Sequence, residues 1–444
     1  MQNKKSISSI VRLLLAKVAK STFFRNILVV MSGTVIAQIV GFALSPVISR
    51  LFTPSDFGVF GSFGSVLSII TAGVTLEYYQ AIMLPKEKED AFHLFMVSCA
   101  SALGISALCL AACAVAPRMI NGLMKTTGFW GLALLVIATV IAGLNTAIGA
   151  WCVRVKAFKD TSASQVIRSV SSNGMQIGVG ALKGGSRGLI LTSVAADFLA
   201  SLNLVRVLVP DFKAYWPKVR WTRMKQLALE YRDFPIYSAS MSYIHALSMG
   251  LPVLLLAHYF GIAAAGAYAF ALRITQAPMG FIVGALRQVL FQRACEIQHQ
   301  GGRLLPVYIK TTMALFAVAI PPTVVILVWA PQLFTWIFGA KWLTAGQFAR
   351  VLIFWLIIMF CSVPSVLFAR AMRMQRKLFI FDLILLIGRS AALIAGGLYL
   401  SPVSTVLIFS LVGALMNAIF MVYIGRALLK KEGDASWRVN LNLT

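Results

Sequence analysis

The sequence predicts an all-α polytopic membrane protein of about twelve transmembrane helices, arranged as two six-helix bundles around a central cavity. Of the 444 residues, 59% are apolar and only 12% charged, too little polar surface for a soluble globular protein of that size. The apolar residues gather into runs long enough to cross a bilayer, separated by short polar stretches. The 40 Lys and Arg, against 14 Asp and Glu for a net +26, concentrate in alternate connections, the bias that orients membrane helices. Charge placed this way sets topology beside anionic lipid and does not imply a nucleic-acid partner.

The elements follow in order. Residues 1–25 form a basic cytoplasmic tail in which Ile7, Ile10, Val11, Leu14 and Val18 share one helical face, with Lys17 and Lys20 elsewhere, so that it lies on the membrane surface. Lys and Arg recur up to Arg25, which leaves no signal-peptide cleavage pattern. The first bundle, 26–209, holds spans at 26–50, 57–84, 91–116, 129–152, 163–183 and 187–209. A basic amphipathic connector, 210–235, leads to the second bundle, 236–427, with spans at 236–257, 262–287, 308–337, 344–369, 377–400 and 402–427, and then to a cytoplasmic tail, 428–444.

The first two spans meet in a tight turn at Thr53, Pro54, Ser55 and Asp56. Pro54 turns Thr53 away from helical dihedrals and Asp56 can accept from free amide groups. A shift of 208 residues matches Phe52 with Phe260, Gly58 with Gly266 and Phe60 with Tyr268, and the chain divides into halves at the same interval. The basic connections near 85–90, 153–162, 206–235, 287–310 and 370–377 include Arg154, Lys159, Lys218, Arg223, Arg370, Arg373 and Lys377. Little beyond Arg50, Arg118, Lys125, Lys183, Arg187 and Lys341 stands in the others, so both termini are cytoplasmic. Halves of equal orientation are related by an axis along the membrane normal, with a site between them.

Polar side chains inside the spans are the candidate site residues, because a charge at mid-span costs about 2.5–3.5 kcal/mol unless it is paired, hydrated or able to snorkel. Arg273 lies mid-span, and Gly266, Arg273, Gly280 and Arg287 recur every seven residues on one inward face. It either binds carbonyls of a neighbouring helix or lines an anion site. Thr161, Gln165, Arg168, Ser172 and Gln176 form a stripe on the fifth segment, and Thr34, Gln38, Gly41, Ser45 and Ser49 one on the first, ending beside Arg50. Asp197, between Ser193 and Ser201, either pairs with an arginine or takes up a proton. Glu77 can pair with Arg168 or reach water. His245, on a face with Ser238 and Ser242, is either a packing residue or a titrating one. Asp382 and Arg389, seven apart, and Arg350 suggest a buried structural network.

The chain carries no GxxxxGK[ST] loop, HExxH, CxxC or GxSxG, so ATP hydrolysis and the common hydrolytic sites are not encoded and transport is the default. The alternative, a membrane-embedded glycosyltransferase or ligase, would be expected to carry a substantial extramembrane loop, whereas the longest outer loop here is about a dozen residues. The six cysteines (Cys99, Cys109, Cys113, Cys152, Cys295, Cys361) lie in apolar segments without paired spacing, so neither disulfide nor metal is expected and no cofactor is implied.

Four stretches, SRLFTPSDFGVFGSF from Ser49, TLEYYQAIMLPKEKEDA at 75–91, YRDFPIYS at 231–238 and GAYAFALRITQAPMG at 266–280, resemble the Wzx-type polysaccharide flippases of the multidrug/oligosaccharidyl-lipid/polysaccharide exporter superfamily. The resemblance implies a V-shaped cavity and a non-enzymatic transporter in the bacterial inner membrane. It also implies a substrate of oligosaccharide on undecaprenyl pyrophosphate, with a polysaccharide polymerase and chain-length regulator as partners. Arg50, Glu77 and Arg273 fall within the matching stretches; Arg168, Asp197 and His245 rest on position. Arginine forks suit pyrophosphate oxygens, so Arg273, Arg168 and Arg50 are the expected clamp, with Glu77, Asp197 and His245 as coupling groups or charge partners. A drug/cation antiporter and a lipid II flippase are the alternatives.

Overall fold

The computed structural model describes residues 22–299, 302–372 and 374–441; at 22–32, at several positions within 281–299 and from 433 onward it describes backbone alone. The N-terminal surface helix, most of the C-terminal tail's side chains, Arg287, Cys295 and Arg373 therefore lie outside the described residues. No strand occurs among the described residues.

The first half of the chain begins with α1 (Thr22–Leu51), α2 (Pro54–Thr71), the single turn α3 (Tyr78–Ala81) and α4 (Lys88–Val115). It continues with α5 (Pro117–Met124), α6 (Phe129–Arg154), α7 (Phe158–Ala181) and α8 (Gly185–Tyr215), followed by the short α9 (Trp221–Glu230). The second half comprises α10 (Ala239–Tyr259), α11 (Ile262–His299), α12 (Leu305–Phe338), α13 (Leu343–Cys361), α14 (Val363–Ala371), α15 (Gln375–Tyr399) and α16 (Pro402–Leu441). Nine helical segments among the described residues are long and apolar enough to cross a membrane. The helices α2, α7 and α11 fall short of that standard, and all three contribute to the wall of the cavity described below.

Local chemistry sets the boundaries. Thr53 caps α2: its hydroxyl accepts from the Asp56 amide at 3.2 Å, while the Asp56 carboxylate accepts from the Thr53 amide at 2.9 Å, with Pro54 at the first helical position. The second expected span is not one helix. After Thr71 the backbone runs through turns to Glu77, with amides bonding three residues back (Val74 to Thr71, Leu76 to Gly73, Tyr78 to Thr75). Leu76 and Glu77 stand at φ 49° and 61°, a left-handed conformation costing side-chain-bearing residues about 1–3 kcal/mol each. Gly73 makes room for Tyr243, whose ring would lie 2.4 Å from a Cβ there. The tenth expected span is likewise split at Ser362, and the eighth runs on to His299 because no Gly or Pro interrupts residues 285–299.

Within the halves, α1 packs on α7 and α7 on α8, while α13 packs on α12 and α16, and α15 on α16. Between the halves, α2 packs closely on α10 and α11. One end of this seam is shut by an aromatic cluster: Phe57 lies 5.3 Å from Phe270 and 5.2 Å from Trp342, and Phe270 lies 4.1 Å from Trp342. Trp342 is completely buried and its indole N–H donates to the carbonyl of Ser49 at 3.0 Å, while Lys341 donates to the carbonyl of Arg50 at 3.0 Å. The last carbonyls of α1, which a helix cannot satisfy itself, are thus capped by the other half of the molecule.

Candidate functional site

A cavity of about 610 Å³ opens between the halves. The α1 side contributes Thr34, Gln38, Gly41 and Ser45, four members of the stripe expected on the first span; Ser49 instead sits in the shut end, donating to Phe338 O at 3.4 Å. The α7 side contributes Gln165, Arg168, Ser172 and Gln176, again four of the five expected, together with Ser169 and Asn173. Opposite stand Arg273, Ile274 and Ala277 of α11. The two polar helices are stitched together: Thr34 donates to Gln165 Oε1 at 2.5 Å and Ser169 to Ala37 O at 2.6 Å. Ser169 and Asn173 complete a second row beside the α7 stripe. They stand four residues apart, the helical spacing that could have revealed them.

Arg168 forms a forked ion pair with Asp197 of α8, its Nε on Oδ1 and its Nη2 3.3 Å from Oδ2. The arginine side chain is 64% exposed and lines the cavity, while the aspartate is 26% exposed and stands behind the wall, so the pair sits at the edge of the cavity with its charges neutralised. Arg273 is different: it is exposed to the cavity, and no described group forms an ion pair or hydrogen bond with it. No carboxylate lines the cavity among the described residues. Three amide oxygens on the wall, Gln38 Oε1, Asn173 Oδ1 and Gln176 Oε1, are buried without an internal donor. Buried acceptors left this way require a partner from solvent or ligand.

The other expected residues lie elsewhere. Arg50 does not join Arg168 and Arg273; at the end of α1 its guanidinium is 3.5 Å from Ile337 O, in the shut end of the seam. Glu77 does not pair with Arg168. The helix break turns it inward, 3% exposed, where it accepts from the Ser242 hydroxyl of α10 at 2.8 Å and from the Gln80 amide. His245 is exposed on α10 outside the cavity wall, where it and Arg370 lie within electrostatic reach of Asp382. Asp382 and Arg389 form no common network. Arg389, 2% exposed, is held between the rings of Trp355 and Phe409 at 3.9 and 4.0 Å, while Arg350 donates to Val328 O at 3.0 Å. The described cysteines are free, and no cluster of three metal-binding side chains occurs among the described residues.

A family profile described as "Polysaccharide biosynthesis protein" matches residues 47–347, which include the closing cluster, α7 and α11. The chain belongs to that family. No curated protein matches it. Solved structures share the fold of this family member at low identity. An inward-facing multidrug resistance MATE family transporter of the MOP superfamily is 16% identical, with TM-score 0.62 over 91% of this chain and 99% of its own. The lipid II flippase MurJ, in an inward closed conformation, is 12% identical with TM-score 0.63 over 89% and 87%. A MOP superfamily transporter from Pyrococcus furiosus, described as having a binding pocket of reverse polarity, is 14% identical with TM-score 0.61 over 91% and 95%. The family member therefore has the polytopic fold of these transporters.

Proposed function

We propose that the protein is a flippase that moves an undecaprenyl-pyrophosphate-linked oligosaccharide from the cytoplasmic to the periplasmic leaflet of a bacterial inner membrane by alternating access, for O-antigen, capsule or exopolysaccharide synthesis. The observation that carries this reading is Arg273, which has no counter-ion among the described residues and faces a cavity whose α1 and α7 sides present Thr34, Gln38, Gln165, Ser172 and Gln176. A guanidinium in that setting attracts a phosphate fork to fork. The amides and hydroxyls that Gln38, Gln165, Ser172 and Asn173 bring to the wall suit the hydroxyls that sugars carry in abundance. Family membership in polysaccharide biosynthesis supports the same substrate class.

Charge bias in the connections supports reading the shut end as the periplasmic one, and on that reading this conformation receives the head group from the cytoplasm. Opening the other way requires Trp342 and Lys341 to leave the α1 carbonyls. Arg168 joins Arg273 once substrate competes for it with Asp197, while Arg50 acts at the outer gate. Glu77, Asp197 and His245 are the groups through which a proton or cation gradient can act, and a polymerase and chain-length regulator receive the product. A cationic-drug antiporter is disfavoured because no acid lines the cavity among the described residues. A lipid II substrate shares the pyrophosphate and is separated by essentiality.

The test is a deletion strain complemented with wild type, Arg273→Ala or Arg273→Lys, scored for surface polysaccharide and for the leaflet position of the lipid-linked intermediate at matched membrane expression. Loss of polysaccharide with the intermediate stranded inside, restored by wild type and by neither variant, is the expected result. Normal export by both variants removes the arginine site, and an unaffected deletion removes the flippase reading.

A further inference from the structure

Behind the polar cavity lies a second, apolar groove of about 250 Å³, formed by α11, α12 and α13 with Phe42 as its α1 residue. Its walls include Met279, Ile282, Ala319, Ile326 and Phe360. Of the two hydroxyls there, that of Thr275 is already spent on the carbonyl of Ala271 at 2.7 Å, so it offers no donor to a polar guest. Phe42 and Ile274 line both spaces, which makes their side chains the partition between wet cavity and dry groove. Ile274 is also the chain neighbour of Arg273. An occupant reaching across the partition therefore has its anion close to its hydrocarbon, and charge complementarity at the arginine fixes which end goes where.

We propose that this groove holds the head-proximal stretch of the substrate's own hydrocarbon chain, a polyisoprenoid joined directly to pyrophosphate, with Phe42 and Ile274 forming the collar around the junction. The inference rests on the flippase reading and adds a tail site to it. A single chain bonded straight to its phosphate fits one narrow groove opening beside one arginine. A phospholipid interposes glycerol and brings two chains. The volume takes a short stretch of chain and leaves the remainder in the bilayer between α1 and α12. The collar then makes the chain a recognised part of the substrate, so that a head group without the correct chain is bound less tightly.

The test uses the full-length protein in phosphatidylethanolamine/phosphatidylglycerol vesicles and two probes, undecaprenyl pyrophosphate and a tail-less sugar pyrophosphate. Ala319→Trp fills the groove without touching the partition, and it is expected to weaken undecaprenyl pyrophosphate binding at least tenfold while leaving the tail-less probe unchanged. Independently of that variant's folding, a diazirine-bearing side chain of methionine's size at position 279 is expected to label undecaprenyl pyrophosphate upon illumination. Unchanged long-chain affinity in a folded Ala319→Trp protein overturns the proposal, as does labelling of phospholipid alone at position 279 under saturating undecaprenyl pyrophosphate. Failure of wild type to bind either probe overturns the head-group reading itself, and the tail site with it. Tail-less binding by wild type that the long chain does not strengthen overturns only the tail site.

Discussion

Gly58 and Gly266 face each other across the seam between the two halves. A Cβ on Gly266 would stand 1.8 Å from the Pro54 carbonyl oxygen and 2.6 Å from the Gly58 amide nitrogen, and one on Gly58 would stand 2.0 Å from the Ile262 carbonyl oxygen. These are the two glycines matched by a shift of 208 residues.

The atoms that meet these positions are backbone, which cannot swing aside as a flexible side chain can. Gly266→Ala is therefore expected to destabilise the shut end by about 1–3 kcal/mol, the usual cost of overpacking. Ser49, fully buried in that closure, provides the readout. A Ser49→Cys protein should react slowly with a membrane-impermeant thiol reagent, and several-fold faster when Gly266→Ala is added. Equal rates would show that this contact does not hold the end closed.

The Arg168–Asp197 pair calls for a double-mutant cycle. Removing either partner leaves a charge at the edge of the cavity, and the coupling in thermal stability should fall near the low end of about 0.5–3 kcal/mol because the arginine is largely exposed. Transport discriminates further. If Arg168 only neutralises Asp197, the combined Arg168→Ala, Asp197→Asn protein recovers export. Since Arg168 also lines the cavity, export is expected to stay low in the combined variant despite recovered stability.

Arg389 should behave in the opposite way. It lies between Trp355 and Phe409, and its Nε and Nη1 are buried without acceptors. An apolar side chain of similar volume removes that desolvation cost while giving up the contact with the rings. Arg389→Met is therefore expected to be neutral or stabilising by up to about 1–4 kcal/mol, with export retained. Trp355→Ala, which empties the fully buried sandwich, should lose about 3–5 kcal/mol. An Arg389→Met protein that is stable but inactive would assign this arginine a role beyond packing.

The polar stripes were legible in sequence because an apolar span offers its hydroxyls and amides few destinations: Gln38 and Ser45, or Gln165 and Ser172, either face each other or face water. Partner choice was not legible. Arg50 is the last cation of its span, and nothing local says that its neighbours would be Ile337 and Lys341, nearly 300 residues on. The Arg389 sandwich needs rings from α13 and α16, and Glu77 is turned inward by a helix break whose only local sign is Gly73. Breaks of this kind come from tertiary packing, here from Tyr243 seated on the glycine, and hydropathy passes over them.

Glu77 yields the remaining prediction. Its carboxylate bridges the halves through the Ser242 hydroxyl, and Gln80 and Tyr79 are its other polar neighbours. Glu77→Gln keeps the shape and an acceptor oxygen for Ser242 but removes the charge. If protonation of this acid is what lets the halves move against each other, the variant should fold and bind normally while export loses its dependence on an imposed proton gradient. Glu77→Ala should instead lose stability, because Ser242 and Gln80 are then left without their acceptor. Export measured in inverted vesicles with and without an imposed pH gradient decides between the roles. A Glu77→Gln protein that responds to the gradient as wild type does makes the residue a structural bridge, and the coupling role then passes to Asp197 or His245.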